Sequence, residues 1–476
     1  MVETSLGEIT FISTGKLDVN AQDINGIYPF FTCGEENLSI NTAAFDTEAV
    51  LLAGNGNFSV KYYKGKFNAY QRTYVIEPNL VDGKWLYYLV MHHIAKITAG
   101  ARGSTIKYLR VGDITACPVN LVPLAQQKRI VSKIEELFSE LDNGIAALET
   151  AREQLKIYRQ TVLKHAFEGK LTTVWRKKNT DKLETPDQIL NRILEERKTR
   201  HDQQLKTWKV AVKEWENNGK LGRRPNKPRK LVEFDSLNNK DFKKNNALPL
   251  GWSYVKLGFL IDEPRYGTSA KCEYDSGEQS VLRIPNICDD SIDDSDLKFA
   301  TFEKGEIDDL RLLSGDILTI RSNGSISLVG TCALVQDKDT KHIFAGYLIR
   351  IRPNQNLVVP EFLLQVLGSH SLRVQIELAA KSTSGVNNIN SKELQSLVVP
   401  LPSIEEQKEL VTYFDTILPS IKTTKMEIEN QLVRAEILRQ SILKKAFSNQ
   451  LIPQEPDDEP ARDLLTRIKA EKGNKA

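Results

Sequence analysis

The residues from Gln127 to Leu171 recur, without insertion or deletion, as Gln407 to Leu451, each position pairing with the one 280 residues later; 12 of the 45 pairs are identical. The identities include Gln127/Gln407, Lys128/Lys408, Arg159/Arg439 and Gln160/Gln440, and the run Leu163, Lys164, Ala166, Phe167 against Leu443, Lys444, Ala446, Phe447. In the first copy Ile130, Ile134, Leu137, Leu141, Leu148, Leu155, Tyr158 and Val162 fall on alternating steps of 3 and 4, with Gly144 and Ala151 at the skipped positions. The second keeps a seam at Leu410, Phe414, Ile417, Ile421, Ile428, Ala435, Leu438 and Ile442. Each copy is therefore expected to be one long amphipathic helix of roughly 65 Å, a length that suits a spacer. Pro419 removes one backbone bond and is expected to kink the second.

Two long helices alone would indicate a structural coiled coil. What precedes each helix adds more. A β-rich, glycine-punctuated block ends in Leu121, Val122, Pro123, Leu124, and a similar block ends in Val398, Val399, Pro400, Leu401. Weaker echoes keep the same order in both blocks: Ala49 to Leu52 and Gly56 beside Asp316 to Thr319 and Gly324, Phe67 to Ala69 beside Ile343 to Ala345, Ile76 and Pro78 beside Ile351 and Pro353, and Trp85 to Leu89 beside Glu361 to Gln365. The chain thus divides into a first domain over 1–123, a long helix over 124–171, a basic charged connector with short helices over 172–247, a second domain over 248–402, a second long helix over 403–452 and a charged tail over 453–476. The fold class this implies is α+β, two β-rich domains joined by two long helices that form an antiparallel coiled coil with a pseudo-twofold repeat. Met1 to Gly7 offers no evident partner for Leu248 to Lys256, which leaves the start of the first domain the least defined boundary.

With 40% hydrophobic and 27% charged residues the chain has ample core for two domains. No apolar run approaches the ~18 residues of a membrane span and no basic-then-apolar leader opens it, so a cytoplasmic protein is expected. Five cysteines without a C-x-x-C, namely Cys33, Cys117, Cys272, Cys288 and Cys332, suit a reducing compartment as core fillers and form no metal site. Charge is uneven. Thr172 to Asn245 holds 20 Lys+Arg against 11 Asp+Glu, which leaves about −6 on the rest of a chain whose total is +3. Arg223, Arg224, Lys227, Arg229 and Lys230 surround Pro225 and Pro228 in what reads as a solvated linker, and basic surface here can also neutralise phosphate. Asp187 to Trp215 reads as one or two charged helices, echoed in the tail where Leu464, Leu465, Arg467 and Ile468 resemble Ile189, Leu190, Arg192 and Ile193.

Pro186, Asp187, Glu196 and Lys198 spell the carboxylates and lysine of many DNA-cleaving sites. Those groups need a strand-based cleft around one metal ion, whereas here they sit on a predicted helix, so cleavage is not expected. The chain also lacks a phosphate-binding G-x-x-x-x-G-K-[ST], a G-x-S-x-G elbow, the Asn-Pro-Pro-aromatic stretch of amino methyltransferases, and any metal-spaced histidines beyond the adjacent His92 and His93. It is expected to catalyse nothing itself.

Polar, glycine-rich loops are the remaining candidates. In the second block they carry Tyr266, Thr268, Ser269 and Lys271; then Arg321, Ser322, Asn323 and Ser325 after a predicted strand; then Lys381, Ser384, Asn387 and Asn388. The first block offers Asn55, Asn57, Lys61, Arg72, Arg102 and Lys107 in similar places. Arginine forks onto guanine, asparagine onto adenine, and serine or threonine takes phosphate, so these types suit DNA reading. Turn chemistry alone also selects Gly, Ser and Asn.

Several segments together resemble the specificity subunits of type I restriction-modification systems: STSGVNNINSKELQSLVVPLPSIEEQKELV from Ser382 to Val411, LPLGWSYVKLG from Leu248, the YGTS loop at Tyr266, VLRIPNI from Val281, and the helix ends LKHAFEGKLT and LKKAFSNQLIPQEPDDEPA. The resemblance implies that each block is a target recognition domain reading one half of a split duplex DNA sequence, with the helices setting the gap. It further implies two methyltransferase subunits clasped by the helices and restriction/motor subunits that join for cleavage. S-adenosylmethionine and Mg/ATP are then expected only in those partners, with no cofactor or metal in this chain. The alternatives are a coiled-coil scaffold carrying two protein-binding domains, and a self-sufficient methyltransferase or nuclease.

Overall fold

The computed structural model describes residues 1–222, 224–228, 248–288, 290–383 and 385–475. They are mixed helix and sheet, dominated by two 44-residue helices, Leu124–Phe167 and Ile404–Phe447, the second running on through Pro419. Contacts divide the chain into two units. One holds Met1–Arg152 and Met426–Ala476, the other Glu153–Lys425, so each unit takes one β-rich domain and a part of both helices.

In the first unit six strands pair in the order Thr10–Thr14, Thr73–Pro78, Phe45–Ala53, Val60–Ala69, Tyr28–Phe31, Leu38–Ile40. Alternation decides the sheet's two faces: Val50, Leu52 and Ile76 pack under the helix Gly83–Thr98, while Ala49, Leu51, Phe67 and Val75 form a second core on the other side. The second unit repeats this order in shorter pieces. Arg265–Tyr266, Leu348–Ile351, Ile317–Ile320 and Cys332–Leu334 pair in that sequence, and Gln279–Leu282 sits between antiparallel Lys298–Ala300 and parallel Ile343–Phe344, as Tyr28–Phe31 sits between Leu38–Ile40 and the end of Val60–Ala69. The echo of Phe67 to Ala69 in Ile343 to Ala345 marks the same strand position in both domains.

Met1 to Gly7 does have a counterpart, contrary to the sequence expectation. Val2–Ser5 pairs with Pro118–Leu121 as Ser253–Lys256 pairs with Val398–Leu401, and the next amide closes the same turn, Leu6 N to Cys117 O at 2.9 Å and Leu257 N to Leu397 O at 2.8 Å. Apart from the small Leu-Gly core, side chains differ between these strands, and the match lies in backbone pairing that residue identity does not report.

The repeated helix starts do the same work in each unit. Gln127, fully buried, donates from Nε2 to Val122 O at 2.9 Å and accepts from Asp82 N at 2.8 Å. Gln407 donates to Pro402 O at 3.1 Å and Leu357 O at 3.3 Å and accepts from Val359 N at 2.8 Å. One residue earlier, Gln126 donates to the Ile452 carbonyl at 2.9 Å, and Glu406 accepts from Thr172 Oγ1 at 2.6 Å and Arg176 at 2.7 Å. In each unit, then, the start of one long helix meets the chain just past the end of the other. Phe167 packs on Phe414, and Ile130 and Ile134 share a core with Ile442 and Leu443.

Two seam positions turn out of the core. Tyr158 and Leu438, one repeat apart, are 48% and 50% exposed. The straight α-helix drifts relative to a 3.5-residue repeat, and Arg159 and Arg439 turn inward instead. Arg439 lies 4.7 Å over the Phe138 ring and pairs with Asp142; Arg159 pairs with Asp290 at 2.5 Å and reaches Gln365.

Between the long helices Pro186–Asn217 forms a single 32-residue helix rather than short pieces. Thr185 and Gln188 close its capping box with Pro186 in the first turn, and no glycine interrupts it. Its Ile189 and Ile193 enter the core of the second unit, as Leu464 and Ile468 of the tail helix Ala461–Lys475 enter that of the first. The cysteine expectation holds for Cys117 and Cys332 only. Cys33 and Cys272 are half-buried and Cys288 is exposed, because Cys33 and Cys288 sit at strand ends and Cys272 in a loop, outside the apolar cores.

Candidate nucleic-acid interface

In the second domain the three polar segments converge at one end of the Leu348–Ile351/Ile317–Ile320 pair. Arg265–Tyr266 runs antiparallel to Leu348–Ile351, bringing the Tyr266 ring under the Arg321 guanidinium at 4.5 Å. Arg321 also donates from Nε to Asn388 Oδ1 at 3.2 Å, and the Tyr266 hydroxyl accepts from Ser391 N at 2.9 Å. What reads in sequence as a polar loop is a hairpin: Lys381–Thr383 pairs with Val386–Asn388, turning at Gly385 (φ 79°), and Ser322–Asn323 pairs with Asn388–Asn387 on its other side. Asn387 Nδ2 donates to Gly324 O at 3.0 Å. Asn323 Oδ1 accepts from Ser325 N at 2.9 Å, and Ser325 shares a 2.7 Å bond with Ser327.

The backbone around Thr268 joins this cluster through Gly346 N to Thr268 O at 2.7 Å, and Thr268 Oγ1 accepts from Ala270 N at 3.0 Å. Ser269 and Lys271 lie farther out on the same loop, Lys271 paired at 2.6 Å with Glu273, both exposed. Ser384 and the side chain of Lys381 lie outside the described residues. Behind the cluster, at the far end of the strands, Arg352 forks onto buried Asp316 at 2.7 Å from both nitrogens. Burial lowers the neighbouring Arg350 to about 10, helped by Arg352 nearby, and its NH1 donates to Arg311 O at 2.6 Å. This network holds the strand ends in place without reaching the polar surface.

The first domain gathers its candidates at one rim. Gly54 N donates to Arg72 O at 2.8 Å, Leu109 N to Gly54 O at 2.8 Å and Gly56 N to Lys107 O at 3.3 Å, while Arg102 and Tyr108 exchange backbone bonds at 3.0 and 2.8 Å. Asn55, beside Tyr108, is half-buried; Asn57 accepts from Ser59 N at 3.3 Å. Arg72, Arg102 and Lys107 are exposed and make no ion pair among the described residues. Lys61 is tied down instead: its Nζ donates to Gly34 O at 2.8 Å and Asn37 Oδ1 at 2.9 Å, and burial lowers its pKa against the opposing pull of Cys33 and Glu35. It is a frame residue more than an open cation.

Sequence reasoning missed Tyr347, 63% exposed, whose carbonyl accepts from Arg321 N at 2.9 Å. The signal was available in Phe344-Ala345-Gly346-Tyr347, a glycine turn between two apolar runs followed by an aromatic residue. The nuclease-like Glu196 is occupied by Asn354 and Asn356 at 3.2 and 2.8 Å, and no cluster of three or more His, Cys, Asp or Glu able to hold a metal occurs among the described residues. No described helix is long and apolar enough to cross a membrane.

Against known proteins, residues 1–150 and 249–434 match the type I restriction modification DNA specificity domain. The chain is 34% identical to the type I restriction enzyme EcoDI specificity subunit of Escherichia coli, over 98% of this chain and 94% of that one. It is 27% identical to the EcoKI specificity subunit of Escherichia coli strain K12, over 79% of this chain and 68% of that one. A solved chain from work on complex assembly and conformational transition of the type I R-M system superposes with a TM-score of 0.60 at 17% identity, covering 94% of this chain and 98% of that one, a likeness of fold.

Proposed function

This chain belongs to the family of type I restriction-modification DNA-specificity subunits, and from that premise we propose that its two recognition domains each read one half of a bipartite, asymmetric duplex target. Sequence specificity within a type I complex is its role; the finer division of labour is our reading. The helices form an antiparallel coil with a pseudo-twofold repeat, set the spacing between half-sites and dock two methyltransferase subunits, and restriction/motor subunits join for cleavage. The chain itself is non-catalytic and cytoplasmic, with S-adenosylmethionine and Mg/ATP handled by the partners.

The observation that carries this reading is the reciprocity of the helix starts. Gln126 reaches the Ile452 carbonyl, and Glu406 reaches Thr172, each partner 280 residues from its equivalent. Such exchange of equivalent contacts is what a twofold relation between repeats requires, and duplex DNA offers a matching dyad to a protein so built. The recognition domains have the right chemistry at comparable strand ends: Arg321, Asn323, Asn387 and Asn388 in one, Asn55, Arg72, Arg102 and Lys107 in the other.

Mapping methylated adenines in DNA from cells carrying the chain and its methyltransferase partner tests the proposal. Exchanging residues 250–400 for those of another family member should change one half of the methylated sequence and leave the other intact. Alteration of both halves would contradict independent readers. Label passing from S-adenosylmethionine to DNA with the purified chain alone would overturn the non-catalytic assignment.

A further inference from the structure

The basic connector has a use that target reading leaves unassigned. The first half of helix Pro186–Asn217 is strapped to the second domain: Arg192 donates to Asn356 O at 3.4 Å, Glu196 accepts from Asn354 and Asn356, Arg197 lies 5.1 Å over Phe259, and Arg200 pairs with Asp262 at 2.7 Å. These contacts have a direction. Ile261 bridges to Pro353 and Tyr266 pairs with Ile349, so stepping from Asn356 through Asn354 to Asp262 moves along the strands toward the Tyr266 end, where the candidate base-reading residues gather.

Farther along, the helix packs on the chain that follows it. Leu205, Trp208, Val212 and Trp215 form its inner stripe, and the returning chain covers it: Trp208 Nε1 donates to Pro225 O at 3.0 Å, Trp215 Nε1 to Gly222 O at 3.1 Å, and Lys227 lies 5.6 Å over the Trp208 ring. Lys206, Lys209 and Lys213, at steps of 3 and 4, are exposed, as are Lys220, Arg224 and Lys227. None of the six makes an ion pair among the described residues, and only Asp202, Glu214 and Glu216 oppose them on this half. Open cations on a self-packed arm offer a surface that an anionic partner can neutralise.

We propose that this arm binds the phosphate backbone of duplex DNA flanking the half-site read by the second domain. The proposal rests on the DNA-reading role above and extends it to DNA outside the target. Distances support that partner. Tyr266 lies four residues past Asp262, a reach of at most about 13 Å of extended chain. Lys206 to Lys213 lie six to thirteen helix residues past Arg200, about 9 to 20 Å in the direction the straps define. Lys206 stops short of the level of the reading loops, Lys209 reaches it and Lys213 passes it, toward flanking duplex. Lysine on a flexible stem contacts phosphate without reading sequence, which suits a flank of arbitrary composition.

The test uses the full chain assembled with its methyltransferase partner, as wild type and as Lys206→Gln/Lys209→Gln/Lys213→Gln. Binding is measured against salt on a duplex limited to the mapped target and on one extended past the second half-site. Wild type should bind the extended duplex more tightly. The variant should match wild type on the short duplex and lose that gain, its slope of log affinity against log salt on the extended duplex shallower by about 2.7, near 0.9 for each lost phosphate contact. A gain from the flank that persists in the variant overturns the proposal, as does a wild type that gains nothing. Loss of the methyltransferase partner by the variant would also overturn it, by assigning the arm to a protein. A wild-type complex that fails to prefer its target over a scrambled duplex would instead sink the DNA-reading role, so the two failures are distinguishable.

Discussion

Replacing Gln407 with leucine tests whether the repeated glutamine is a structural clamp. The side chain is fully buried and both its polar atoms are bonded: Oε1 takes the Val359 amide at 2.8 Å, and Nε2 serves the carbonyls of Pro402 and Leu357 at 3.1 and 3.3 Å. Leucine fills a similar volume, so the cavity cost is small and the polar cost dominates. One half-buried donor loses its partner and two carbonyls each lose one, the bond to Leu357 being the weaker; about 2 to 4 kcal/mol is the expected local loss. Val359 caps the helix Pro360–Leu367 without a side-chain cap of its own, so this helix start should open first. A two-unit chain need not melt in one step, which makes hydrogen exchange the right assay. Exchange at Val359 and along residues 360–367 should accelerate about 30- to 700-fold, at 1.4 kcal/mol per tenfold. The Asp82 amide, held by Gln127 in the other unit, should not change. Unchanged exchange at Val359 would refute the clamp.

Arg321→Ala or Asn323→Ala should weaken binding and methylation of the second half-site by about 1 to 3 kcal/mol if either forks onto a base, and unchanged affinity with an unchanged salt slope would confine them to holding Tyr266, Asn388 and the Ser325 turn. Removing seven residues within 140–152 should shift the preferred gap by about 10 Å, roughly three base pairs, or abolish recognition, and equal methylation of the original site would mean that the helices do not measure the gap. Burial, with His93 and Lys444 adding like charge, lowers His92 to about 4, so the folded state resists its protonation: the stability it contributes is present above about pH 6.5 and drains away toward pH 4, by at most about 1.4 kcal/mol per pH unit. His92→Phe, which can keep the stack on Phe447, should make that acid slope shallower, and an equally steep slope in the variant would exclude His92 as its source.

The helices were legible because a long repeat states its own boundaries and its apolar stripe needs no tertiary information. Their detail was less so. Counting by 3 and 4 put Tyr158 and Leu438 in the seam, while real α-helical drift turns Arg159 and Arg439 inward, where each finds an acid partner that only the folded chain supplies. Strand order was beyond reach in the second domain because pieces such as Arg265–Tyr266 and Ile287–Cys288 are two residues long and cannot show alternation. The candidate loops were found by residue type, but that Arg321 rests on Tyr266 and bonds Asn388 follows from contacts across 55 and 67 residues of sequence, and the third loop's hairpin, though local, has strands of only three residues, too short to show alternation.

The same contrast explains how such a chain can change what it reads. Equivalent backbone bonds, Leu6 to Cys117 and Leu257 to Leu397, close each domain onto its helix, and equivalent glutamines lock the helix start. These positions are buried, so substitution there costs stability at once. The polar residues at the strand ends lie outside all four apolar cores and bond chiefly to one another. Replacing that set as a group leaves the cores untouched, because surface groups far from a packing network add nearly independently. Substituting Asn387 alone would break its bond to the Gly324 carbonyl, whereas exchanging the hairpin and the Ser322–Asn323 edge together preserves their pairing. Specificity in this architecture is therefore expected to move in whole loop sets over a frame that stays fixed.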